Sequence, residues 1–350
     1  MQDEELKQET GVLYLGIDLG TSRTSVSSSN GVRETVESFV GYPKDAVARK
    51  LLKKDVLFGE EAREKRLSLN LHRPLEHGVL KFNKDDGEED SEELRAAKDL
   101  VREIVRRARP RKGELIYAVI GVPAQASINN KDAILQSARE SIDSVMLCSE
   151  PFSVAYGLDM LEDVLVIDIG AGTVDLCRMH GTMPEESDQV TNTFGGDHVD
   201  ATLSANILKT YPDVQFTKQM IKGIKERYSS VQEITETIIV TFPVKGKPQD
   251  FDITDEMKSA CASIIPPIVE GLGELISTFD PEFQDRLKER VLLAGGGSQI
   301  RGLDTAIEAE MKRTLGGGKV IRVEEPIYGG ANGALKIAHD MPEEFWEQLK

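Results

Sequence analysis

The 350-residue chain is predicted to be an α/β protein of two lobes, each a layered domain produced by duplication of one plan. Three observations predict it. Strand-like and helix-like segments alternate, which implies largely parallel pairing within each lobe. A strand, an Asp-bearing glycine turn and a second strand occur together twice, about 150 residues apart, which is the size of one domain. The chain is also longer than a single hydrophobic core usually serves.

The elements follow in order. Val12 to Leu19 is an apolar run closed by Gly20-Thr21-Ser22, and a second extended segment leads to Asn30-Gly31 and alternating residues through Phe39. Asn-Gly between such runs is a hairpin signal. Leu115 to Val122 reads as a strand ending at Pro123, Asn129 to Ser141 as a helix, and Val145 to Cys148 as a short strand entering a helix at Ser149-Glu150-Pro151. The plan then repeats, with Val164 to Ile169, the turn Gly170-Ala171-Gly172-Thr173, and Val174 to Met179. Val291 to Ala294 feeds Gly295-Gly296-Gly297-Ser298 and a helix from about Leu303 to Leu315. A last turn, Tyr328 to Ala334, precedes the final substantial helix, its small residues permitting close approach. The first lobe is placed at 11–160, with a subdomain inserted at about 34–85, and the second at 161–350, with one at about 200–260.

Composition narrows the function classes. At 39% hydrophobic residues, with no stretch of roughly 20 apolar residues, the chain is expected to be soluble and without a membrane span. Met1 to Thr10 lacks the basic start and apolar core of a secretory signal, so a cytoplasmic location is expected. Cys148, Cys177 and Cys261 are far apart and read as buried or free thiols. A net charge of -17 would repel a phosphate backbone, and no direct nucleic-acid contact is expected. The basic cluster Arg102 to Lys112 follows the acidic stretch Asp85 to Glu93 and reads as the end of a helix, Glu93 to Arg109, whose cations complement its dipole. Phe345, Trp346 and Leu349 near the C-terminus read as core packing, not as a membrane-binding face.

The two turns carry the chemistry. Binding a triphosphate requires inward-facing backbone N–H groups with no side chain in the way, which suits Gly20 with Thr21 and Ser22, and Gly170, Ala171, Gly172 and Thr173. Facing each other across a cleft, two such turns would grip the β- and γ-phosphates; no Walker lysine is present. Asp18 and Asp168 would then lie beside the phosphates, where magnesium, held through its waters, relieves the repulsion. For each aspartate alone the bland alternative is a turn residue bonded to its own backbone. Glu150 is a candidate to orient the attacking water, or it merely complements a helix dipole with Ser149 as cap. Gly295, Gly296 and Gly297 would let backbone approach adenine and ribose, or they form a tight strand-to-helix connection.

Five segments in order, Gly16 to Ser22, Gly121 to Ala124, Asp168 to Thr173, Ala294 to Ser298 and Tyr328 to Ala334, resemble the signature motifs of the actin, Hsp70 and sugar-kinase superfamily. The resemblance covers nearly the whole chain and implies an actin-like two-lobed fold, ribonuclease-H-like domains around a nucleotide cleft, with ATP and Mg²⁺ as cofactors. Glu150-Pro151-Phe152 and Tyr156-Gly157 resemble the bacterial actins such as MreB, which implies catalytic roles for Glu150 and Asp168. It also implies nucleotide contacts from Gly196, Lys225, Glu226 and Ser298. The segments VGYPKD (Val40 to Asp45), AVIGVPA (Ala118 to Ala124), YGLD (Tyr156 to Asp159), DQVT (Asp188 to Thr191) and IRGL (Ile300 to Leu303) are similar to the MamK family of magnetosome filament proteins.

That resemblance implies a cytoskeletal ATPase that polymerises head to tail with ATP, turns over on hydrolysis, and positions magnetosomes with adaptor proteins. The alternatives are an ATPase of the same fold that forms no filament: an Hsp70-like chaperone, whose separate peptide-binding domain is not expected in this chain, or a small-molecule kinase. A kinase needs an acceptor hydroxyl, whereas a filament ATPase releases phosphate without one.

Overall fold

The computed structural model describes residues 11–81, 91–233 and 237–349. The polar start and the acidic stretch from Asp85 to Asp90 lie outside them. The chain forms two compact units, one of Met1–Val122, Ala126–Cys148 and Gly330–Lys350, the other of Pro123–Gln125 and Ser149–Gly329.

The first unit holds a five-stranded sheet in the order Ser144–Ser149, Leu115–Val122, Val12–Leu19, Arg23–Ser28, Arg33–Glu37. Strand Val12–Leu19 pairs antiparallel with Arg23–Ser28, Asp18 opposite Ser25, and parallel with Leu115–Val122, Asp18 opposite Gly121. Alternation sends Leu13, Leu15, Ile17 and Leu19 to a core shared with Leu100, Ile104 and Ile134, from helices Glu92–Arg107 and Ile128–Ala138. The other face of the strand meets the C-terminal helix Gly329–Asp340, where the Tyr14 and His339 rings lie 4.9 Å apart. Trp346 is fully buried and stacks on Tyr117 at 5.2 Å. A three-stranded sheet of Leu57–Phe58, Val40–Pro43 and Leu69–His72 is inserted beside a short hairpin, with its own small core of Leu57, Ala62 and Leu69.

The second unit repeats the plan. Its sheet runs Gln189–Asn192, Val174–Met179, Val164–Ile169, Val291–Ala294, Val320–Arg322. Val164–Ile169 again has an antiparallel hairpin partner on one side and a parallel strand on the other. Helices Gly196–Thr210, Lys218–Tyr228 and Thr254–Ala262 and the hairpin Ile239–Val244/Lys247–Asp252 are inserted between. The segment Thr254–Ser277 has the length and mean hydropathy of a membrane span, although it carries Asp255, Glu256, Lys258, Glu270 and Glu274. In this fold it forms two helices, and Met257, Ile268, Leu272 and Leu275 belong to the second unit's core.

Several boundaries differ from the sequence reading. Residues 149–160 belong to the second unit, because helix Glu150–Gly157 packs on strands Val164–Ile169 and Val174–Met179. Residues 330–350 belong to the first unit, because a bare Gly16 backbone lets the C-terminal helix lie directly on the first strand. The segment expected to be a turn at Tyr328–Ala334 is mostly the first turns of that helix, which begins at Gly329. The basic helix ends at Arg107, with Arg109 beyond it in a left-handed conformation. Arg106 and Arg107 both bond Glu103, at 2.8 Å, a more specific role than dipole complementation. The three cysteines are free and buried, and burial pushes the thiols of Cys177 and Cys261 up, away from reactivity.

Candidate functional site

Among the candidate residues, the first unit carries Asp18, Gly20, Thr21 and Ser22. Asp18 ends the central strand, its carboxylate against the start of the C-terminal helix: a Cβ placed on Gly330 would lie 3.3 Å from Asp18 Oδ2. Gly20 has no room for a side chain, since a Cβ there would come within 2.5 Å of the Arg23 carbonyl oxygen. The Thr21 hydroxyl is committed within the unit, accepting from the Gly78 backbone N–H at 2.7 Å, while its carbonyl accepts from Arg73 Nε at 2.9 Å. Thr21 therefore ties the turn to the inserted hairpin, and the backbone of the turn is what it leaves to offer a ligand.

Burial raises the Asp18 pKa from 3.8 to about 6. The folded chain thus binds this proton more tightly than the unfolded chain, so the contribution to stability falls as pH rises through the interval between those values. Above it, an ionised carboxylate is held where water solvates it poorly, a position that a cation would relieve. Without nucleotide, Asp18→Asn is expected to raise the stability of the chain by about 1–3 kcal/mol at pH 7 and by little at pH 4. Urea melts at the two pH values measure it, and equal effects at both would remove Asp18 from this role.

The second unit carries the remaining candidates, and it brings most of them together. Asp168 is buried at the end of its central strand. The turn after it closes through Gly170 N–H to the Thr173 carbonyl at 2.9 Å. The start of helix Gly196–Thr210 docks on this turn: Gly196 N–H donates to Gly170 O at 2.9 Å and Asp197 N–H to Ala171 O at 2.7 Å. A Cβ on Gly195 would come within 2.9 Å of three carbonyl oxygens of the turn, those of Gly170, Ala171 and Thr173. Lys225 Nζ donates to Gly196 O at 2.7 Å and pairs with Asp200 at 2.9 Å, so it fastens helix Lys218–Tyr228 to the same helix start. Glu226 stands apart, half-exposed and 3.9 Å from Lys222.

The triple glycine divides by role. Gly295 has a left-handed φ of 76°, and a Cβ there would fall 2.3 Å from Asp168 Oδ1; one on Gly297 would fall 2.2 Å from Ile169 Cγ2. Both are required by close packing on the Asp168 strand end. Only Gly296 faces open space. Ser298 is fully buried and its hydroxyl donates to Gly295 O at 2.7 Å, so it shapes the turn from within.

Glu150 is buried as the first residue of helix Glu150–Gly157, on the sheet that carries Asp168. Ser149 sits at the cap position, but its side chain makes no capping bond, contrary to the simple capping reading. Among the described residues there is no cluster of three or more side chains suited to ligating a metal directly. A magnesium that keeps most of its waters needs only one or two carboxylates, and each unit by itself offers one at the end of its central strand.

Sequence reasoning missed Asp175. It lies directly across the strand pair from Asp168, is almost fully buried, and accepts from Ala124 N–H at 2.8 Å and Thr191 Oγ1 at 2.6 Å. Burial pushes its carboxyl pKa up. Gln125 adds bonds to Thr191 and to Gln189 O. Together they draw Pro123–Gln125 into the second unit. The legible signal was a carboxylate among the apolar residues of strand Val174–Met179, which also carries Arg178.

A sheet of five strands built twice to one order, with an Asp and a glycine turn closing the central strand of each, defines an actin-like protein. The chain belongs to the MreB/Mbl family, whose model matches residues 13–344. It is similar to the actin-like protein MamK of Paramagnetospirillum magneticum, 40% identical over 337 residues that span 96% of this chain and 95% of that one. Among solved structures it is similar to a MamK double helical filament, with a TM-score of 0.90 and 40% identity over 95% of this chain and all of that one. It is also similar to a non-polymerising MamK mutant bound to AMPPNP, with a TM-score of 0.71 and 40% identity over 95% of this chain and all of that one.

Proposed function

We propose that this chain is a cytoskeletal ATPase that assembles head to tail into filaments with ATP and magnesium, weakens them by hydrolysis, and positions magnetosomes in the cytoplasm through adaptor proteins. The observation that carries the reading is the repeated strand-end aspartate with its glycine turn, in a chain 40% identical to a relative solved as a filament. A relative solved with AMPPNP supports a nucleoside triphosphate as the ligand.

The Gly20 and Gly170–Thr173 turns would hold the phosphates with backbone N–H groups, and open space at Gly296 would admit the nucleoside. Lys225, through its bond to Gly196 O, would keep the helix start seated on the phosphate turn. Asp18 and Asp168 would bind waters of a magnesium ion, which supplies charge neutralisation at the phosphates when bound. Glu150 would orient the attacking water. A heterologous contact that does not close generates a filament from a single repeated interface.

With ATP and magnesium the protein is expected to sediment at high speed above a threshold concentration, and to remain in the supernatant without nucleotide. Negative-stain microscopy of the same samples shows whether the pellet is filamentous. Protein that stays in the supernatant at every concentration tested would contradict the filament reading.

A further inference from the structure

We propose that the acidic N-terminal segment of this chain, residues 1–10, docks on a basic surface of its own unit formed by Arg106, Arg109, Arg111 and Lys112, and covers it. Neither nucleotide nor assembly is needed for the contact.

The surface is built on a fixed platform at one end of the first sheet. Ala108, which closes helix Glu92–Arg107, accepts from Asn30 Nδ2 at 2.9 Å, and Arg107 donates to Thr35 O at 3.2 Å, so the hairpin tip and the helix end are tied together. Arg106 and Arg107 share the one carboxylate of Glu103, which leaves a positive charge over, and the Arg106 side chain is 71% exposed. Arg109 is 73% exposed and reaches Glu34 only at 3.6 Å. The Glu114 carboxylate accepts from the Arg111 backbone N–H at 2.8 Å, and the exposed side chains of Arg111 and Lys112 have no carboxylate partner among the described residues. From Arg106 to Lys112 there are five cations and no anion, in a chain that carries -17. The helix dipole does not account for Arg109, Arg111 and Lys112, which lie beyond the last turn.

The place where the chain enters the sheet names the occupant. Leu115 N–H donates to Gly11 O at 2.9 Å, and a Cβ on Gly11 would lie 3.9 Å from Glu114 Oε1, so the residues before Gly11 start beside the loop that bears Arg111 and Lys112. Those residues carry Asp3, Glu4, Glu5 and Glu9 against Lys7 alone. Fully extended they would span about 33–36 Å, far more than the short way to the cations. Exposed ion pairs are individually weak, but a short tether supplies an effective concentration on the order of millimolar, which favours the contact over the same groups met free in solution. Arginine suits carboxylates through paired N–H bonds, as Arg106 already shows on Glu103. An anionic membrane fits less well: among the described residues no large apolar side chain is exposed between Leu67 and Ile128 to insert beside the cations. Seated there, the segment would deny the surface to other acidic ligands until one displaced it.

Zero-length carbodiimide crosslinking of the full chain without nucleotide, read by mass spectrometry on the monomer fraction, tests the contact. An amide between Glu4, Glu5 or Glu9 and Lys112 is expected, its yield falling about tenfold when salt is raised from roughly 0.02 to roughly 0.5 M. A comparable fall is expected in Arg109→Glu/Arg111→Glu, shown to melt like the wild type. The amide between Lys54 and Glu61, an ion pair at 2.8 Å, serves as the internal control and should form in the variant as in the wild type. In a mixture of ¹⁵N-labelled and unlabelled chains, the linked peptides should carry a single isotope. Absence of the Lys112 amide while the control forms would overturn the proposal, as would a yield unchanged in the double variant. Linked peptides of mixed isotope would assign the surface to a second copy and overturn it too. Co-sedimentation with phosphatidylglycerol vesicles that the double variant abolishes, with no Lys112 amide in the wild type, would assign the surface to lipid, again against the proposal.

Discussion

Glu150→Ala is expected to lower phosphate release by roughly a hundredfold or more, the scale of a lost positioned base, while leaving ATP-dependent sedimentation intact. The side chain is buried at the first position of its helix, on the sheet that ends in Asp168. Removing it forfeits a favourable charge at a helix N-terminus, worth about 0.3–1 kcal/mol, so the fold should survive. Glu150→Gln keeps size and hydrogen bonding while removing the charge, and it separates water activation from packing. Slow disassembly of filaments should accompany the loss of hydrolysis. A phosphate-release rate equal to that of the wild type, in protein that still pellets, would remove Glu150 from the reaction.

The largest effect on folding is expected at Gly16. A Cβ there would lie 2.0 Å from the Ala331 carbonyl oxygen and 2.2 Å from Leu335 N, both backbone atoms of the C-terminal helix. No side-chain rotation relieves such a contact, so the helix must lift off the first strand and loosen the packing of Tyr14 on His339 and Trp346. Overpacking of this kind typically costs 1–3 kcal/mol or somewhat more, and Gly16→Ala should sit at or above about 3 kcal/mol. Chemical denaturation with a tryptophan fluorescence readout is suited to it, because Trp346 is the single tryptophan and packs in this region. A midpoint within error of the wild type would refute the close strand-to-helix contact.

Local chemistry made much of this protein legible before any coordinates. Apolar runs closed by Gly20 and by Gly170 could only be strand ends, and Asn30-Gly31 marked its hairpin, since Gly31 adopts the left-handed φ of 85° that such a turn demands. The repeat of Asp, Gly and Thr carried the duplication. These signals lie within a few residues of one another, where propensity and turn geometry act directly.

Contacts far apart in sequence decided the rest. That residues 330–350 return to the first unit depends on Gly16 meeting Ala331 and Leu335, a closeness no local pattern records. Asp175 gained its position across from Asp168 from strand register, and the triple glycine was partitioned by what lies over it: Gly295 and Gly297 against the Asp168 strand end, Gly296 against nothing. Sequence by itself determined the central strands of the two large sheets and the two turns that close them, because backbone conformation there is set by neighbours along the chain. Only tertiary structure decided which glycines are packed and which are open, and which carboxylates are buried, because these depend on the atoms that folding brings alongside.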